Sequence, residues 1–167
     1  MARTKSINFP NQLTELSALF DKLQRRLCNI CLSSAGLVIK GAASAIVKTG
    51  ASATKVIVDD VLVNIPAATD QAALAGTVTN ATFNVFVFTV NAAGTGKTYM
   101  GTGAATRAAV VFPTVADGET VIGFIEVNPT GTGNFVGGTT ALDDATVVPN
   151  VVYVNTPFPF IPGLATL

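Results

Sequence analysis

Residues 83–90 read Phe-Asn-Val-Phe-Val-Phe-Thr-Val, a run that is apolar whichever way it is turned. In an extended strand successive side chains point to opposite faces, so Phe83, Val85 and Val87 face one way and Phe86, Phe88 and Val90 the other. A strand with two apolar faces has to be covered on both, which makes it a central strand between two layers. From Gly36 onward the rest of the chain also breaks into short β-type runs separated by turn residues: 37–40, 45–48, 55–58, 61–65, 97–101, 108–112, 119–127 and 151–155. Ala116-Asp117-Gly118-Glu119 carries an Asp-Gly hairpin signal. Thr69-Asp70-Gln71 followed by 72–76 reads as a short capped helical turn ending at glycine. The expected fold is mainly β, a sandwich or barrel of about eight strands over residues 36–155.

The region before Gly36 follows a different period. Leu13, Leu16, Phe20, Leu23, Leu27 and Ile30 recur at spacings of 3, 4, 3, 4 and 3, the a/d seam of a heptad repeat. Pro10 precedes it, where a missing N–H costs little, and Asp21 and Arg25 stand one helical turn apart. The spacing predicts a helix from Asn11 to about Leu32. Leu19 and Cys31 widen the stripe onto flanking g and e positions, more than a two-stranded seam needs, so the expectation is a parallel trimeric bundle. The chain therefore divides into an arm and heptad helix (1–35), a β domain (36–155) and a Pro/Phe-rich arm (156–167). Pro157, Pro159 and Pro162 keep the last of these extended, and its apolar Phe158, Phe160 and Ile161 call for a groove on this chain or on a neighbour.

One internal repeat is visible. Val90-Asn91-Ala92-Ala93-Gly94-Thr95-Gly96 returns as Val127-Asn128-Pro129-Thr130-Gly131-Thr132-Gly133, each copy after an apolar strand. Two copies are too few for a solenoid and read as two equivalent hairpins, with Asn and Gly at the positive-φ turn positions.

Hydrophobic residues make up 49% of the chain and charged residues 12%, about half the usual charged share. Such a surface is largely uncharged, and part of it is expected to meet other chains. No apolar run approaches the ~20 residues of a spanning helix, and residues 1–20 lack a signal-peptide pattern, so synthesis in the cytoplasm without export is expected. The zero net charge conceals a gradient: Arg3, Lys5, Lys22, Arg25 and Arg26 lie at the start, and no basic residue follows Arg107. A basic end and an acidic end suit oriented docking, with Arg3, Lys5, Arg25 and Arg26 as contacts.

Motifs that resemble catalytic sites fail on chemistry. Gly94-Thr95-Gly96-Lys97-Thr98 resembles a phosphate-binding loop, but Asn91 replaces its first glycine and no helix follows to aim a dipole at a phosphate. In the second repeat copy Asn134-Phe135 stand where Lys97-Thr98 do, so the turn does not depend on the lysine. Cys28-Asn29-Ile30-Cys31 has CxxC spacing, yet there is no second pair and no histidine in the chain, and the two cysteines read as small apolar residues beside the seam. Without histidine the usual general base and Ser–His or Cys–His pairs are missing. Asp59-Asp60 and Asp143-Asp144 adjoin turn-like sequence and read as turn or solvated carboxylates. No catalytic residue, metal ligand or cofactor is expected. The few basic residues and the neutral total also argue against a nucleic-acid partner, as the lack of a span does against a membrane.

Several phrases are similar to those of small virion proteins of tailed bacteriophages. They are Ser34-Ala35-Gly36-Leu37-Val38-Ile39-Lys40, Asp59-Asp60-Val61-Leu62-Val63, Asn84-Val85-Phe86-Val87-Phe88, Val121-Ile122-Gly123-Phe124-Ile125 and 135–143. The chain most resembles head decoration, or cement, proteins. The resemblance implies a homotrimeric β-rich unit on the surface of the particle, seated on a shell of major capsid protein. The same architecture would also suit a tail fibre, adaptor or baseplate component.

Overall fold

A computed structural model describes residues 9–167, without the side chains of residues 9, 10, 21, 22 and 24–27. Arg3 and Lys5 lie outside the described residues, as do the side chains of Arg25, Arg26 and Leu27 and the Asp21–Arg25 pairing. Among the described residues the fold is mainly β and sandwich-like, with one α-helix at the N-terminal side and no closed barrel.

The strands form in chain order as β1 (Ile30–Cys31), β2 (Val38–Ile39), β3 (Val47–Lys48), β4 (Thr54–Val58), β5 (Val61–Ile65), β6 (Thr77–Val78), β7 (Asn84–Asn91), β8 (Gly96–Met100), β9 (Glu119–Val127), β10 (Phe135–Val136) and β11 (Val151–Asn155). The main sheet is antiparallel in the order β11-β9-β7-β8, and the smaller sheets are β1-β4-β5, β2-β3 and β10-β6. β7 is the two-faced central strand that its sequence demands. Phe86, Phe88 and Val90 enter a large cluster with Val47, Val56, Val58, Val78 and Phe135 from the small sheets. Val85 and Val87 enter a second cluster with Val110, Phe112, Val121 and Phe124. Fully burying side chains of this size is worth about 1.5–3 kcal/mol each, so β7 anchors both layers.

β9 feeds both clusters by means of a bulge. Opposite β7 the register runs Phe88↔Gly123 and then Thr89↔Val121, which leaves Ile122 as an extra residue. Ile122, Ile125 and Val127 thereby reach the large cluster, and Val121 and Phe124 the second. Gly123 is required beside the bulge, because a Cβ there would come within 2.5 Å of the Val154 carbonyl on β11.

Several local expectations are corrected. The helix, α1, spans Phe9–Cys28 and does not continue to Leu32. Ile30 and Cys31 instead pair with Ile57 and Val56, and Cys31 is buried in the large cluster. Core burial and a sheet partner outweigh the local helical pattern, so Ile30 is not on the helical seam. Residues 69–76 form no helical turn. Thr49 N–H donates to the Thr69 carbonyl and Gln71 N–H to the Val47 carbonyl, so the backbone groups are satisfied across the chain. Arg107–Ala109 is a 3-10 turn where a strand was expected, and only Val111 bridges to Thr102. Asp117-Gly118 does turn, with Gly118 at φ +74°, but joins no hairpin, since Phe112 and Val115 before it are drawn into the second cluster. The two-residue turn that does close a hairpin is Asp59-Asp60, both at positive φ, between Val58 and Val61 of β4 and β5.

The repeat copies also part company. The first is a hairpin between β7 and β8, where Asn91 Oδ1 accepts from the N–H groups of Ala93 and Thr95. The second is a crossover. Asn128 Oδ1 is buried without a hydrogen-bond partner, Gly131 and Thr132 donate to the carbonyls of Val147 and Thr146, and β10 pairs with β6 rather than β9. The residue two places past the last glycine explains the split. It is Thr98 in the first copy, on a sheet edge, and Phe135 in the second, fully buried edge-on against Phe86 at 6.0 Å.

Candidate self-association surface

α1 is 20 residues long, about 30 Å at ~1.5 Å per residue. Its described seam residues Leu13, Leu16, Phe20 and Leu23, with Leu19 beside them, are between 46% and 63% exposed. Five large apolar side chains on one helix remain uncovered, while those of β7 are sealed on both faces. At its C-terminal end the helix is tied to the β4–β5 turn. Asn29 Oδ1 accepts the Asp59 N–H at 2.9 Å. The seam is thus held at one end by the β body.

The C-terminal arm ends differently. After β11, Thr156 is buried, and the chain lies across the second cluster to a 3-10 turn at Pro162–Leu164. The ring of Phe160 stacks on Phe124 and meets Phe112 edge-on, both at 5.7 Å between centroids, and Ala165 and Leu167 pack on the same cluster. The groove for the tail is therefore on its own chain. Of the three arm residues expected to dock, Phe160 is spent in cis, whereas Phe158, Ile161 and also Leu164 are exposed. A cleft of about 300 Å³ at the root of α1 is lined by Asn29 and by residues 114–117, 119–121 and 159–163, so helix root and tail share one region of surface.

The motifs that resemble catalytic sites have structural partners. Lys97 lies on β8, and its Nζ is 2.6 Å from Glu119 Oε1. Glu119 also accepts from the hydroxyls of Thr89 (2.6 Å) and Tyr99 (3.1 Å). Burial alone would raise the carboxyl pKa of Glu119, but donation from Lys97, Thr89 and Tyr99 outweighs it and holds the group below the usual range. Cys28 and Cys31 straddle the helix–strand boundary, where they were expected side by side on the helix. The hydrogen bond to Asp60 raises the Cys28 thiol and burial raises that of Cys31, so neither is drawn toward the thiolate. Asp143 accepts the Ala43 N–H, and Asp144 accepts from the backbone and hydroxyl of Thr146. Among the described residues no three His, Cys, Asp or Glu side chains converge as a metal site, and no helix is long and apolar enough to cross a membrane.

Heptad spacing singled out the exposed seam. It could not reveal that Cys31, which widened the predicted stripe, belongs to the core, leaving Leu19 alone in that role. Comparison with protein-family models, curated proteins and solved structures finds no match to this chain.

Proposed function

We propose that the chain is a non-enzymatic structural building block that trimerises through α1 and decorates the head of a tailed bacteriophage as a cement protein. The observation that supports self-association is the uncovered seam of α1, joined to a β body whose own apolar clusters are closed. Heptad a/d residues fit the holes of an identical helix, so the simplest cover for this stripe is another copy of the chain. The address on the head rests on the resemblance of the sequence phrases. Repeated weak contacts with the major capsid protein would gain avidity on a shell without any one being strong. Arg3, Lys5, Arg25 and Arg26 on one arm and exposed Phe158 and Ile161 on the other are the contacts assigned to it.

Light scattering of the full chain tests the assembly, with three times the 17.1 kDa chain mass expected. Quantitative mass spectrometry of purified particles tests the address. Hundreds of copies per particle support the head, a handful point to a tail fibre, adaptor or baseplate component, and none removes the virion role.

A further inference from the structure

We infer that β11 is an association edge, along which Val151–Asn155 of one copy adds antiparallel to the same strand of a second copy, about a twofold axis at Tyr153. The inference goes beyond the assembly through α1 and does not depend on it. β11 forms one side of the main sheet and pairs only with β9. In an antiparallel ladder the peptide groups of every second residue point to the partner strand. Thr156 N–H donates to the Ile122 carbonyl, which sets the phase: Val152 and Val154 point to β9, and Val151, Tyr153 and Asn155 point away from it. The outward N–H and C=O groups of these three bond to nothing among the described residues, and none of the three is fully buried. Buried peptide groups are almost always paired, so this row faces water. Neighbouring segments meet β11 from its face rather than its edge. Asn155 Oδ1 accepts the Leu37 N–H at 2.9 Å, and Leu37 belongs to the large cluster, on which Val151 and Tyr153 also pack.

Three features make a second β11 the occupant. Donors and acceptors that alternate along an open edge are matched by another extended backbone. The strand is also self-complementary. With Tyr153 at its centre pointing outward, Tyr153 faces the partner's Tyr153 and Val151 the partner's Asn155, in about six main-chain hydrogen bonds. Finally, Val-Val-Tyr-Val-Asn carries no charge, glycine or proline, and its register on β9 is unbroken. The opposite edge, β8, holds Lys97, 54% exposed, a charge of the kind that guards an edge against pairing. The charges nearest β11 are accounted for. Glu126, beside Val152 on β9, is bound by Arg107 at 2.8 Å. Burial and then the Asp143 carboxylate raise the pKa of the Tyr153 hydroxyl, at the far end of a side chain on the large-cluster face, so that carboxylate stands off the edge. A threefold unit contains no twofold axis, so where α1 builds a trimer this contact ties one trimer to the next. A five-residue strand offers less than the ~800 Å² per partner of a stable interface and pairs at high local concentration.

Amide hydrogen exchange at residue resolution on the full chain, between ~20 μM and ~1 mM, tests the pairing. The amides of Val151, Tyr153 and Asn155 should slow about tenfold or more with concentration, while those of Val152 and Val154, already bonded to β9, stay constant. Val152→Lys places a charge on the edge at a position 47% exposed, and should abolish the slowing without lowering the melting temperature. Leu164→Lys, 73% exposed on the tail, should behave like the unsubstituted chain. Exchange of the three amides that is the same at both concentrations overturns the inference. So does equal slowing at all five positions, the mark of unspecific aggregation, or slowing that survives Val152→Lys. Protection found only on purified particles assigns the edge to a strand of another protein and overturns self-pairing too. The alternating pattern is read whether or not α1 trimerises, so failure of the helix assembly, seen as a monomer mass at the low concentration, is separate from failure at β11.

Discussion

The N-terminal helix and the C-terminal arm both carry apolar residues away from the β body, yet they finish in opposite states. The tail folds back, and Phe160 settles against Phe112 and Phe124 to close the second cluster. α1 leaves the body at Asn29 and keeps Leu13, Leu16, Leu19, Phe20 and Leu23 largely in solvent. Chain geometry accounts for the difference. Three prolines hold the tail extended, so it can lie flat across the second cluster and deliver one ring onto it. A helix presents its stripe as a rigid rod, which another rod covers better than a twisted sheet does. The tail thus serves stability, whereas the helix keeps its apolar stripe uncovered.

Removing the tail should break this contrast most forcefully. Deleting residues 157–167 uncovers Phe112 and Phe124 and is expected to cost the β body about 3 kcal/mol or more, read as a lower denaturation midpoint. An unchanged midpoint would mean that the tail, like α1, adds nothing to the stability of the body. On a finer scale, Phe160→Ala should cost about 1–2 kcal/mol because the ring is half-buried, while Phe158→Ala should stay within ~0.5 kcal/mol. Equal losses at both positions would contradict the assignment of one ring to the fold and the other to the surface.

Acid separates body from helix again. With its pKa below the usual range, Glu119 contributes stability in full above about pH 4.3, and this is lost as pH falls through its lower folded value. Lys97, raised by its hydrogen bond to Glu119, adds stability that is lost only as pH rises beyond about 10.4. Denaturation midpoints should therefore fall in acid below pH ~4, and Glu119→Gln should flatten that limb. A limb as steep in Glu119→Gln would assign the acid sensitivity to other carboxylates. The smallest effect on stability is expected at the helix: Leu16→Asp should shift melting of the dissociated chain by less than ~0.5 kcal/mol while abolishing assembly. A large loss of fold stability would mean that α1 docks on its own body.

Much of the body is legible residue by residue. Alternation and turn chemistry place β5, β9 and β11 at the observed positions, and Phe83–Val90 reads as the central strand because no other arrangement hides both of its faces. The heptad spacing identifies the exposed seam of α1. What the sequence by itself determined, then, is the main strands, the body of the helix and which side chains need cover. Tertiary structure alone decided where that cover comes from: Ile30 leaves the helical seam for β1, the second Asn-Gly loop crosses to β6 instead of closing a hairpin, and Phe160 finds its cleft on its own chain. The physical reason is that local signals report the conformation of a few neighbours, whereas a backbone hydrogen bond or a buried ring is satisfied by any suitable partner, however far along the chain. Two nearly identical loops are sent different ways by one buried phenylalanine, Phe135, whose burial outweighs the turn they share.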